Sequence, residues 1–275
     1  MPRPVCPYPR VIDALREATD GAVIVVKGGR YAEHPQFPQE VRVTTNNITL
    51  QALGAVLLEL SGPWLAIDAP HFTIKGALEL RGGGVLICEG ATLHQNGDLS
   101  ISTTEFLATG VKVAAGGTWL QLGRTTISAG AADGDFSLTN GVHVEANAIW
   151  QQLGELSVYS HGAIGVLVSG TWDQLGEAKM IVQGEGDAKR GNYGLVFGEG
   201  VRLAHGAWSQ KGALHINAID ASNAIHLSAG SVWLQDANVV LDLDSVQERR
   251  HYDQLGLSSL FLLGLIRQPA PVVHG

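Results

Sequence analysis

With 275 residues, 45% of them hydrophobic and only 16% charged, the chain is too apolar to be disordered and could form one large domain or two small ones. A net charge of −8 excludes a nucleic-acid partner held through phosphate contacts, which depend on Lys and Arg. The pairs Lys189-Arg190 and Arg249-Arg250 read as solvated loop charges. Two cysteines, Cys6 and Cys88, make no disulfide framework, and free thiols in a reducing compartment are expected. Residues 1–10 lack the apolar stretch of a signal peptide, and no run approaches 18 apolar residues, so the chain reads as soluble without a membrane span.

In chain order, Val11 to Thr19 comes first and predicts an amphipathic helix, with Ile12, Leu15 and Ala18 on one face. Residues 1–21 are therefore expected to cap the molecule. A strand follows at Val23-Ile24-Val25-Val26, leading into Lys27-Gly28-Gly29-Arg30-Tyr31-Ala32-Glu33 and later Asn47-Ile48-Thr49-Leu50. This opening, from Ile12-Asp13-Ala14-Leu15 onward, resembles the start of pectin-lyase-like β-helix proteins, nearest in style to the pectin methylesterase and NosD-type branches. The resemblance covers about 40 residues. It implies a right-handed parallel β-helix and, more distantly, carbohydrate chemistry. The catalytic segments of the methylesterases, alginate epimerases and polygalacturonases have no counterpart here, so no catalytic residue is carried over.

The rest of the chain is a repeat. Trp119-Leu120-Gln121-Leu122-Gly123 recurs at Trp150 to Gly154 and Trp172 to Gly176, then at Trp208 to Gly212, and at Trp233 to Ala237 with alanine for glycine. Leu50, Phe72 and Leu93 hold the same place upstream, each four residues before a glycine, and Tyr252 holds it downstream. The spacings are 22, 21, 26, 31, 22, 36, 25 and 19. Before each anchor lies an apolar pair such as Val142/Val144, and after it another such as Leu156/Val158. Each unit thus predicts three short strands of period two. A floor near 20 residues with variable excess predicts stacked coils carrying loops, not propeller blades of about 40 residues. The expectation is an all-β, single right-handed parallel β-helix of about nine coils, with coils over 22–256 and a C-terminal cap or tail over 257–275.

Parity places the W-x-Q residues inside. If Trp119, Gln121, Thr125 and Ile127 share a face, the alternate positions are Leu120, Gln151, Asp173, Ser209 and Leu234, a poor core set. The tryptophans therefore read as a core column and not as a sugar platform. The buried glutamines are expected to bond to one another as an amide ladder, since an unpaired buried amide costs about 1–3 kcal/mol.

Excess length collects after the third strand, over 102–110, 128–140, 181–193 and 217–223. The two longest flank a short connection, Tyr159-Ser160-His161-Gly162, and would wall a groove about 10 Å wide. One wall offers Asp133, Asp135 and Phe136; the other offers Glu185, Asp187, Lys189, Arg190 and Tyr193. Tyr159 and His161 form the floor. Asp133, Asp135, His161, Glu185 and Asp187 are the candidate acid/base groups, because paired carboxylates with an imidazole suit glycan chemistry. Phe136, Tyr159, Lys189, Arg190 and Tyr193 are the candidate ligand contacts. The four carboxylates could also bind a cation, although no metal or cofactor is called for. His143 and His226 read as solvated, and Asp242 and Asp244 as an outward strand face. The apolar run Leu260 to Ile266 plugs the last coil or joins another chain.

Three functions fit: a non-catalytic binding or structural solenoid, foremost for polysaccharide; a polysaccharide lyase, hydrolase or epimerase in the groove; or a protein-interaction module.

Overall fold

The computed structural model describes residues 8–33, 40–103, 109–129, 140–161, 164–183, 185–186, 196–197, 199–219 and 223–244. It is a three-walled stack of parallel strands. The first wall is an eight-stranded sheet running in order from Val41–Val43 and Trp64–Ile67 to Glu199–Leu203 and Asn223–Leu227. The second and third walls belong to one 16-stranded sheet. The long strands Val23–Glu33 and Ile48–Leu60 pair with each other and join the two walls, the first half of each lying in the second wall and the second half in the third. The turn Asn140–Val144, Ile149–Gln152 and Leu156–His161 contributes one strand to each wall and is typical of the repeat.

The sequence folds this way because each strand buries every second residue. Val111, Val142, Val166 and Val201 pair in register along the first wall, and all are fully buried. Leu99, Thr125, Leu156, Ala178 and Leu214 do the same on the third. β-branched and other apolar side chains stacked about 4.8 Å apart fill a narrow interior without voids.

The tryptophan register holds from Leu93 to Trp233. One upstream anchor needs correction. Phe72 pairs with Ile48, not Leu50, because the strand Ile48–Leu60 carries two extra residues at its corner. Gly54, at φ +89°, absorbs them, and the spacing of Leu50 to Gly54 mimics a register the backbone does not adopt.

Trp119, Trp150, Trp172 and Trp208 are at most 1% exposed. With Trp233 they form a continuous stack, with centroids 4.7–5.0 Å apart and planes within 6°. Each indole Nε1 donates to the glutamine Oε1 of the turn before, at 3.2 Å for Trp119 to Gln95 and 3.1 Å for Trp150 to Gln121. The glutamines do not bond to one another. Gln121 Nε2 donates to the carbonyls of Gly123, at 3.3 Å, and Glu155, at 2.9 Å. The indole is a donor only, so it takes the acceptor that a second amide would have used. Trp and Gln thus alternate as a hydrogen-bonded ladder.

At the corner after the glutamines from Gln95 to Gln210, glycines stack. A Cβ on Gly154 would lie 2.1 Å from the Gly123 carbonyl oxygen, and one on Gly176 equally close to that of Gly154. Only glycine lets the chain turn so near its neighbour.

The helix Val11–Glu17, two residues shorter than its apolar pattern, sets Val11, Ile12 and Leu15 against the first strands at 3–5% exposure. At the far end, the final turn leaves Leu234 64% and Leu241 41% exposed among the described residues. The run Leu260 to Ile266 lies outside them. Cys88 is a free thiol, pushed up by burial and by Asp68; Cys6 lies outside the described residues.

Candidate functional site

The strands Thr125–Ala129, Leu156–His161 and Ala178–Gln183 are neighbours in register on the third wall. The segments that follow the first and the last therefore leave from one edge, with His161 between their roots. Tyr159 is 43% exposed, and its hydroxyl donates to Gln183 Oε1 at 3.2 Å. His161 is half-buried and engaged in further interactions. The backbone of Glu185–Gly186 pairs antiparallel with Val196–Phe197, which closes the base of the longer excursion. Asp187, Lys189, Arg190 and Tyr193 lie outside the described residues, as do Asp133, Asp135 and Phe136. The described residues thus show only that Ala129 and Gln183, where the two segments begin, flank the strand that carries Tyr159 and His161.

Two clusters on the adjoining first wall escape a sequence reading. In the first, Glu199 has a side chain only 10% exposed, bound on one oxygen by His226 Nδ1 at 2.9 Å and on the other by Arg202 Nε at 3.1 Å. His226 is accordingly a partnered group and not the solvated one its column suggests. In the second, Lys112 Nζ lies 2.7 Å from Glu145, and His143 sits in register with Lys112. Burial holds His143 below the ordinary imidazole range; Glu145 opposes this and Lys112 adds to it. Burial raises Glu145, but hydrogen bonds from Lys112 and the Ala115 amide and the Lys112 charge outweigh it, leaving a lowered carboxyl. His143 and His226 were legible in the sequence, but Glu145 and Glu199 lie off their column, where only strand register reveals them.

Other surfaces are paired or shallow. Asp242 meets His215 at 2.6 Å on the outward strand face where it was expected. An open depression of about 300 Å³ lies at the opposite edge of the third wall, lined by Leu57, Glu79, Asp98, Ser100, Arg124 and Thr126. It is remote from His161. Among the described residues, no three His, Cys, Asp or Glu side chains are grouped to hold a metal ion, and no helix is long and apolar enough to cross a membrane. No family model, curated protein or solved structure matches the chain.

Proposed function

We propose that the protein is a non-catalytic β-solenoid, a right-handed β-helix of about nine coils and pectin-lyase-like type, that serves as a rigid scaffold for binding, foremost of polysaccharide. The supporting observation is how the repeat uses its polar residues. The ladder's tryptophans and glutamines are buried from Gln95 to Gln210, and the charges on the outer walls pair from strand to strand, as in Lys112–Glu145, Arg124–Glu155 and Arg30–Glu59. Such a body is stiff, and its variable parts are loops, where binding concentrates. On this reading the contact surface is the edge around Tyr159 and His161. Phe136 and Tyr193 stack on sugar rings there, and Lys189 and Arg190 pair with acidic groups.

A glycan array probed with the full chain tests this. The expected result is retention of a polysaccharide whose chain length and reducing ends are unchanged after incubation. Binding should fall when Asp133, Asp135, Glu185 and Asp187 are neutralised together, at unchanged melting temperature. Release of shortened or unsaturated products would replace the reading with that of a lyase, hydrolase or epimerase. Silence across the array, with capture of a protein instead, would favour an interaction module.

A further inference from the structure

The outer side of the second wall carries a ridge of leucines at the corner that follows the ladder glutamines. Leu122, Leu153 and Leu175 follow directly on the register-paired Gln121, Gln152 and Gln174, and stand 50%, 49% and 51% exposed. They form a ridge about 10 Å long on three successive turns. Beside it, the outward residues Thr118, Ile149 and Thr171 are uncharged, with Ile149 41% exposed. Between these columns run Leu120, Gln151 and Asp173, so these three turns of the wall carry one charge, in a chain whose net charge is −8. Exposed apolar residues in a contiguous flat patch mark an interaction surface.

The charges bordering the patch indicate what covers it. Counting outward from Leu153 along the same corner, one turn away lie Leu122 and Leu175, two turns away Asn96 and Lys211, and three turns away Lys75 and Asp236. Just past the ridge, Arg124 stands one turn before Glu155 and Glu177 one turn after it. The pattern is self-complementary under a two-fold axis through Leu153, lying in the wall and across the stack. That operation sets Leu122 on the partner's Leu175, Arg124 on the partner's Glu177, and Lys75 on the partner's Asp236. Leu153 meets the partner's Leu153. Glu155 meets the partner's Glu155, but each already receives Arg124 of its own chain at 2.9 Å.

We infer that the protein self-associates as an antiparallel dimer through the outer side of this wall. A flat, nearly neutral wall is also where two copies of an acidic chain can approach with least repulsion. The contact spans six strand spacings, about 29 Å, along the stack. The symmetry is closed and the patch meets itself, as in other two-fold dimers. The surface is distinct from the edge around His161.

Sedimentation velocity of the full chain, from low micromolar to near-millimolar concentration, reads the association. A monomer–dimer equilibrium is expected, and a chain that stays monomeric throughout overturns the inference. Leu153→Lys, at the axis, should weaken the dimer by roughly tenfold or more while leaving the melting temperature unchanged, because the side chain is half-exposed. Indifference to that change overturns it too. The deciding experiment is a mixture. Arg124→Glu and Glu177→Arg should each weaken self-association, because each places like charges across the axis twice. Mixed in equal amounts they should recover it, since the two variants together restore both pairs between chains. A change that acted only within one chain gives no recovery, and that outcome also overturns the antiparallel arrangement.

Discussion

Gln121 receives the indole N–H of Trp150 at 3.1 Å and donates to the carbonyl of Glu155 at 2.9 Å, so one side chain ties the next turn's aromatic to the next turn's backbone. The same unit repeats at Gln152 and Gln174. In an interior without water, each bond is costly to leave unmade, and the ladder fixes which turn lies above which.

Replacing Gln121 by Leu therefore tests the ladder apart from packing. The volume is kept, but the Trp150 N–H is stranded, and a loss of about 1–3 kcal/mol is expected. Trp150→Ala removes packing on both sides of the stack and should cost about 3–5 kcal/mol. Guanidinium denaturation followed by tryptophan fluorescence compares them. A Gln121→Leu protein as stable as the parent would show that the ladder adds nothing to packing.

The glycine corner gives a sharper test. Gly154→Ala places a methyl 2.1 Å from the Gly123 carbonyl oxygen, with the Leu153 backbone fixed by its own bond to Gln121. The backbone cannot yield without opening the strand pairing, so the variant should be recovered mainly as insoluble protein. Gly90→Ala meets nothing within 4 Å and pays only for its φ of +71°, about 1 kcal/mol. Soluble yield and melting temperature of the pair check this. A Gly154→Ala protein as stable as Gly90→Ala would count against the close approach.

How much of this was readable in the sequence depends on the kind of contact. The burial of Trp119, Trp150 and Trp172 follows from parity, because only one assignment leaves Asp173 and Gln151 outside. The three strands per turn follow from pairs such as Val142/Val144. The exchange of an amide ladder for a Trp–Gln ladder does not follow, since it depends on which turn's acceptor an indole reaches. The Ile48 register was hidden for a similar reason: two extra residues at Gly54 recreate the motif's spacing out of phase. Around the candidate edge, Tyr159 and His161 were found from loop length, while Glu199 was missed. Its partner Arg202 is three residues away, but His226 is a whole turn away.

Acidification should destabilise the protein in two steps. Burial lowers His143, and burial with the neighbouring His71 lowers His94, so in the folded state both bind protons more weakly than in the unfolded chain. Below the ordinary imidazole value of 6.5 the unfolded chain takes up protons that the folded one refuses, and stability falls until the lowered values are passed. Glu145, lowered in the folded state, adds a second loss as pH drops below its ordinary 4.5. Denaturation midpoints across this range should decline with acid, and His143→Gln should flatten the upper step. An unchanged slope in that variant would assign the step elsewhere.

The N-terminal helix governs the remaining prediction. Its Val11, Ile12 and Leu15 cover the first turn at 3–5% exposure, and the Ala22 carbonyl receives the Thr49 amide at 3.0 Å just behind it. Removing residues 1–21 would expose the inner side of the strand Val23–Glu33, Val26 included, and the first-wall pair Val41/Val43 beneath the helix. That is an apolar end of a stack whose every coil is a template for another parallel strand. Aggregation is expected, visible as light scattering and as a heterogeneous, high-mass profile on size-exclusion chromatography, and not a shorter, soluble solenoid. Replacing Ile12 and Leu15 by Ser should reproduce the effect in milder form, because the helix is kept while its buried face is lost. A truncated chain that stays soluble, runs at its own mass and melts cooperatively would show that the first turn closes the stack unaided.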